Sequence, residues 1–337
     1  MLKEALLYKK KEENKVSCFL CSHHCLISDG KFGICNVREN RGGTLYTHAY
    51  GRLVAENIDP IEKKPLYHFL PRSSSFSIAT VGCNFQCGFC QNWQISQVKE
   101  AETLGLRSEE VKPEEVVKQA KRSGSRSISY TYTEPTIFFE YAFDVGRLAK
   151  KEGLYNVFVT NGFMTQEMIQ MAQPWLDAAN IDLKSFSDEY YRKLCKGRLQ
   201  PVLNSIASMR KLGIWVEVTT LVVPGENDSE KEFKEIADFL VRTDPAIPWH
   251  ISRFYPQYQM GDLESTPMKT MNRAYEIGKE AGLRYVYLGN VMGKGSDTYC
   301  YRCNQLLIER LGYSIKRDKI KDGKCPQCQN PVDGVGL

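Results

Sequence analysis

The chain has 337 residues, 42% hydrophobic and 25% charged, and its 45 basic and 40 acidic side chains leave a formal charge of +5. That balance suits a globular fold with a large core. No apolar run approaches the roughly 18 residues of a membrane span, and so small a surplus argues for neither nucleic acid nor a membrane as partner. Twelve cysteines follow a start that carries no signal-type apolar region, so a reducing, cytoplasmic setting is expected, where clustered thiols mean metal rather than disulfides.

In chain order, the first cluster is Cys18-x2-Cys21-x3-Cys25-x9-Cys35, with His23 and His24 inside it and Gly30 and Gly33 along it. Four thiolates can hold structural zinc or an auxiliary iron-sulfur cluster, and His24 could replace one of them. A loop-rich module outside the main fold favours zinc.

From residue 75 onward, apolar and β-branched runs alternate with helical patterns. Strands are predicted at 75–81, 127–133, 156–160, 178–183, 214–223, 249–254 and 285–288. Helices are predicted at 113–122, 136–151, 201–212 and 229–241. Repeated βα units predict a barrel, complete or partial, with its site at the strand C-terminal ends. A doubly wound open sheet is the competing architecture, but no Gly-x-Gly-x-x-Gly turn supports it.

Chemistry-bearing residues sit just after these strands. Behind the first comes Cys83-x3-Cys87-x2-Cys90. Three local thiols leave a 4Fe-4S cluster one ligand short, so one iron would be open to a substrate or cofactor; a zinc knuckle is the competing reading. Tyr132-Thr133-Glu134-Pro135, Thr160-Asn161-Gly162 and Asp182-Leu183-Lys184 close the next three strands. Glu134 could equally cap a helix starting at Pro135, and Asp182 with Lys184 could be a plain ion pair. Cys195 stands alone and reads as a buried structural thiol.

Near the end, Cys300-x2-Cys303 and Cys325-x2-Cys328 are separated by 21 residues, a zinc-ribbon pattern with a rubredoxin-like iron site as the alternative. The chain is thus divided into a Cys-rich metal-binding module and lead-in (1–70), a barrel (71–297) and a zinc-ribbon-like domain (298–337). The edges fall near Pro71-Arg72-Ser73-Ser74 and Gly293-Lys294-Gly295.

The C-x3-C-x2-C loop resembles the signature of the radical S-adenosylmethionine (SAM) superfamily. The Tyr-Thr-Glu-Pro-Thr segment and the two flanking cysteine sets resemble its AmmeMemoRadiSam-system members, which are related to pyruvate formate-lyase activating enzymes. The fold implied is α/β, a partial (β/α)6 TIM-like barrel. The resemblance implies that Cys83, Cys87 and Cys90 hold the cluster and that SAM completes it, with Phe89 beside the cofactor. Tyr132, Thr133 and Glu134 stand where the family has Gly-Gly-Glu-Pro, receiving the methionine ammonium. Thr160, Asn161, Asp182 and Lys184 would surround ribose and carboxylate, Thr219 and Val222 the adenosyl group, and His250 adenine or substrate.

The activity implied is reductive cleavage of SAM to a 5′-deoxyadenosyl radical that takes hydrogen from an unidentified substrate, a protein being one candidate. Electron donors such as flavodoxin or ferredoxin, and AMMECR-like or Memo-like proteins, are the implied partners. The alternatives are cleavage of a different sulfonium bond to modify RNA or a small molecule, and a non-catalytic adaptor stapled by metals.

Overall fold

In the computed structural model, which describes residues 2–99, 110–291, 293 and 295–337, one eight-stranded sheet organises the chain. Its strands are β1 (Leu53–Pro60), β2 (Ser74–Thr80), β3 (Ser127–Tyr130), β4 (Tyr155–Thr160), β5 (Ala178–Asp182), β6 (Trp215–Val222), β7 (Trp249–Arg253) and β8 (Val286–Gly289). Each strand lies beside the next one in sequence, from β1 at one edge to β8 at the other. The β1/β2 pair is antiparallel and every other pair parallel. Winding that never reverses is barrel topology, and the unpaired edges leave it partial.

All seven expected strands are present in this sheet. β3 is shorter than its hydrophobicity suggests because the chain turns at once, with the Thr133 N–H on the Thr131 carbonyl and Tyr132 at φ 61°. β1 went unrecognised because an edge strand exposes one flank: Glu56, Asn57 and Ile58 face solvent and hide the apolar alternation. Lys294, within the expected C-terminal edge, lies outside the described residues.

The helices form where capping and burial agree. α1 (Pro113–Arg122) starts on proline with Glu114 and Glu115 in its first turn, ends on Lys121 and Arg122, and buries Val116, Val117 and Ala120. α2 (Phe139–Lys151) follows a 3-10 turn at Pro135–Phe138. α3 (Gln166–Ala172) is a short helix capped by Thr165. α4 (Leu199–Lys211) begins two residues before the expected Pro201, whose missing N–H costs nothing in a first turn. α5 (Glu230–Thr243) is capped by Ser229, and α6 (Met268–Glu280) follows Pro267. Gly146 on α2 admits the Trp175 indole, since a Cβ there would stand 2.2 Å from the ring.

Two small three-stranded sheets precede β1, and Ala5, Val16, Leu20, Ile27, Val37 and Leu45 from this region join the same buried core as the barrel. At the other end, Thr298–Tyr299, Leu306–Leu311 and Ser314–Asp318 form a third small sheet. Its attachment is both apolar and polar: Leu307 and Ile308 pack in one buried cluster with Tyr67, Tyr285 and Tyr287. Arg310 Nη2 donates to the Tyr67 carbonyl at 3.0 Å, and Arg284 pairs with Asp333 at 2.8 Å.

His68 links these parts. Its Nδ1 lies 2.7 Å from the Asp333 carbonyl and its Nε2 lies 2.6 Å from the Tyr287 hydroxyl. A carbonyl only accepts, so Nδ1 carries the proton and, in the neutral ring, Nε2 accepts from Tyr287. Burial pushes the His68 pKa down to about 4. The unfolded chain therefore gains a proton near pH 6.5 that the fold refuses until about pH 4. Full stability holds above that window, and up to about 3 kcal/mol is lost as pH falls through it. Urea unfolding of the wild type should show a slope between pH 6.5 and 4, and His68→Gln should reduce it, the remainder coming from His23 and His48, whose pKa values burial also lowers.

Candidate functional site

The loop from Gly82 to Cys90 leaves the C-terminal end of β2 and is held almost wholly from outside. The Gln86 N–H donates to the Cys195 carbonyl at 2.9 Å and the Gly88 N–H to Leu194 at 3.2 Å. The Asn161 side chain donates to Asn84 Oδ1 at 2.7 Å and approaches Cys83 Sγ at 3.7 Å. Cys90 Sγ lies 3.1 Å from the Ser96 hydroxyl. Cys195, read from sequence as an isolated thiol, is buried against Cys87 and hydrogen-bonds to it. That bond favours the Cys87 thiolate against the cost of burial, and Lys184 adds to the effect, so its pKa is lowered. Burial pushes Cys83 strongly upward, with the Glu134 carboxylate adding to the shift.

Beside the loop lies a cavity of about 1570 Å3, mouth included. Cys87, Phe89, Cys90, Tyr132, Thr133, Glu134, Thr160, Asn161, Asp182, Lys184 and Thr219 all line it. They come from the ends of consecutive strands, the face where barrel enzymes gather ligand groups.

Three expected positions are not on this wall: Cys83, at the start of the loop, and Val222 and His250, which lie elsewhere. Val222 is fully buried away from this cavity, because strand alternation sends Thr219 and Leu221 to one face and Val222 to the other. His250 lines a neighbouring cavity of about 1150 Å3, its Nε2 held 2.7 Å from Glu217. The two cavities share Thr219, Ser252, Asn290 and Tyr313 along their common wall.

Glu134 is buried and its carboxylate is already fully engaged. Oε1 accepts from the Thr136 N–H, the Thr136 hydroxyl and the Thr160 hydroxyl, and Oε2 accepts from the Asn161 N–H at 2.8 Å. It is a cap and a cross-brace between β3 and β4, and Asn161 in turn steadies Asn84. Tyr132 occupies the left-handed region that glycine would favour. Its hydroxyl donates to Asp59 at 2.5 Å, and its carbonyl accepts from Asn92 at 2.7 Å. Asp59 also binds Lys64 at 2.6 Å and Lys63 at 2.8 Å. Burial works against Lys184, but Asp182 at 2.8 Å and the Cys87 and Cys195 sulfurs more than offset it, raising its pKa.

Sequence reasoning passed over Lys63, Lys64, Asn92, Ser96 and Tyr313, all on the cavity wall. The charged pair between Pro60 and Pro65 was the one local signal; Tyr313 comes from the distant C-terminal sheet and had none.

Thiol spacing separates the three cysteine sets. Among the described residues, the ligand atoms of Cys300, Cys303, Cys325 and Cys328 form the one group of three or more that all lie within 4.8 Å of one another. Cys300 and Cys328 are 3.6 Å apart, as are Cys303 and Cys325. Tetrahedral zinc with Zn–S near 2.3 Å requires about 3.8 Å between sulfurs, so this set fits one ion. Cys83, Cys87 and Cys90 do not converge in that way, which fits thiols bound to separate irons of a cluster and argues against a zinc knuckle.

Comparison with known proteins gives the family. Residues 77–240 match the family model described as Radical SAM superfamily. An uncharacterized protein of Methanocaldococcus jannaschii is 44% identical over 339 residues, covering 99% of this chain and all of the relative. A putative glycyl-radical enzyme activating enzyme of the same organism is 26% identical, covering 65% of this chain and 80% of the relative. The crystal structure of a radical SAM methyltransferase from Sphaerobacter thermophilus superimposes with TM-score 0.51 at 16% identity, covering 65% of this chain and 67% of that one. The chain belongs to the radical SAM superfamily.

Glu134→Gln tests the brace. The amide replaces one acceptor with a donor, and whichever way it is turned its NH2 meets a backbone N–H, of Thr136 or of Asn161, that can only donate. Thermal and urea unfolding should show a loss of about 2–3 kcal/mol.

Proposed function

We propose that the protein is a SAM-cleaving enzyme of the activating-enzyme type, with Cys83, Cys87 and Cys90 holding a 4Fe-4S cluster and SAM occupying the adjoining cavity. The observation that carries this reading is the non-converging three-thiol loop opening onto one large cavity walled by consecutive strand ends. When bound, the cluster and SAM supply reductive cleavage of the sulfonium and, through it, removal of a hydrogen atom from the substrate.

The chain's own groups supply position and charge. Because the Glu134 carboxylate is spent on four internal donors, its part is to set the backbone carbonyls around Tyr132 and Thr133 that would face the ammonium. Lys184 is the cation for the methionyl carboxylate, and Asp182 and Thr160 border the ribose. Thr219, with Leu221 in place of Val222, lines the adenosyl side. The His250 cavity is assigned to the substrate, a protein segment by likeness to activating enzymes. A low-potential flavodoxin or ferredoxin is the proposed donor, AMMECR-like and Memo-like proteins are proposed partners, and the setting proposed is the cytoplasm. Among the described residues no helix is long and apolar enough to cross a membrane. The three-part division at residues 70 and 297 belongs to the same proposal, with one zinc in the C-terminal ribbon.

Anaerobic reconstitution with iron and sulfide, followed by dithionite and SAM, should yield 5′-deoxyadenosine, and Cys87→Ala should abolish it. Methylthioadenosine would instead indicate a different sulfonium bond, and no product from cluster-loaded wild type would reject the assignment. Cys325→Ser should remove the ribbon's zinc, lowering zinc per chain by about one, and expose residues 298–337 to proteolysis, because so small a module lacks a sufficient core of its own.

A further inference from the structure

The four N-terminal thiols line one space. Cys18, Cys21, Cys25 and Cys35 all border one small space whose remaining wall is largely aliphatic. Their sulfurs do not converge as the ribbon's do, and although the Cys18 N–H donates to the Cys25 carbonyl at 2.9 Å, Cys21 and Cys35 are anchored at other points. Cys18 ends the strand Val16–Cys18, Cys21 bridges Met164 beyond β4, and Cys35 lies in a turn closed by the Asn36 N–H on Gly33. A single zinc would have to pull all four to about 3.8 Å against those anchors, whereas a cubane takes each thiolate on its own iron.

Arg38 supplies a second sign. It lines the same cavity, is buried, and points Nη1 at Cys18 Sγ from 3.2 Å. Its Nε has no partner among the described groups, although its Nη2 is paired with Glu140 and donates to the Leu6 carbonyl. A buried cation with an unused donor suits an anionic cluster, whose potential is tuned by hydrogen bonds to sulfur.

The module also touches the Cys83 loop on both sides of that cysteine. The His23 Nε2–H donates to the Asn84 carbonyl at 2.7 Å. Gly82, at φ 93°, has the Cys35 carbonyl 3.0 Å and Val37 Cγ1 2.8 Å from where a Cβ would stand. Residues adjoining one thiol set are therefore in contact with residues adjoining the other.

We propose that Cys18, Cys21, Cys25 and Cys35 hold an auxiliary 4Fe-4S cluster, and that it relays electrons to the centre at Cys83, Cys87 and Cys90. Four thiolates saturate its irons, so it binds no substrate. It takes one electron from a low-potential one-electron carrier protein and passes that electron on, with no bond made or broken. Leu26 and Ile34, each next in chain to a ligand, are exposed and give a donor access. The relay role rests on the function proposed above; the cluster itself does not.

Iron, sulfide and zinc analysis with EPR on the reconstituted full chain tests both. Wild type should carry about eight irons and one zinc, and the triple variant Cys83→Ala/Cys87→Ala/Cys90→Ala about four irons and one zinc, with an EPR signal that SAM does not alter. A triple variant with no iron and two zincs overturns the proposal. If the three-thiol reading alone is wrong, wild type and triple variant will instead carry equal iron, about four per chain, and the N-terminal cluster stands. Cys21→Ala/Cys35→Ala should lose about half the wild-type iron, which checks the assignment from the other side should the triple variant fold poorly. In that double variant 5′-deoxyadenosine formation should persist with dithionite and fall with flavodoxin; equal rates with both donors overturn the relay.

Discussion

The segment Gly82–Cys90 makes no regular structure, so its three thiols stay in place only because neighbouring elements satisfy its backbone and side chains. Cys195 and Leu194 accept its N–H groups, Asn161 ties down Asn84, and His23 donates to the Asn84 carbonyl. Behind Asn161 stands Glu134, whose carboxylate joins the ends of β3 and β4. A metal loop braced this way is preorganised: the conformational cost is met in folding rather than at each binding event. The same dependence explains why the N-terminal module, the barrel and the segment before β1 share one core.

Much of this architecture was legible in the chain. Parallel strands buried on both faces read as apolar runs, and the thiol spacings by themselves mark the metal sites. What escaped was whatever depends on strand parity or distant contact. Val222 was grouped with Thr219 although an odd separation sends them to opposite faces. Cys195 looked isolated because only the π-helical turn Tyr191–Cys195 carries it to Cys87. Tyr132 and Thr133 stand where the family has two glycines. Tyr132 nonetheless takes the glycine-like φ, anchored through its hydroxyl by Asp59 from β1.

The three cysteine sets show how spacing in space says more than spacing in sequence. All three contain C-x2-C or C-x3-C pairs, yet only the ribbon brings its sulfurs to the separation a tetrahedral ion demands. The N-terminal set, read from sequence as zinc-like because it seemed peripheral, packs into the barrel core against the Cys83 loop.

The catalytic assignment requires an iron at the three-thiol loop that is open to SAM. The most direct measurement is electron-nuclear double resonance on the reduced, reconstituted protein with SAM labelled with 15N at its amino group. A nitrogen coupling that appears with SAM and vanishes in Cys87→Ala is the expected result. A cluster signal in the wild type that is unchanged by SAM and shows no such coupling would contradict it.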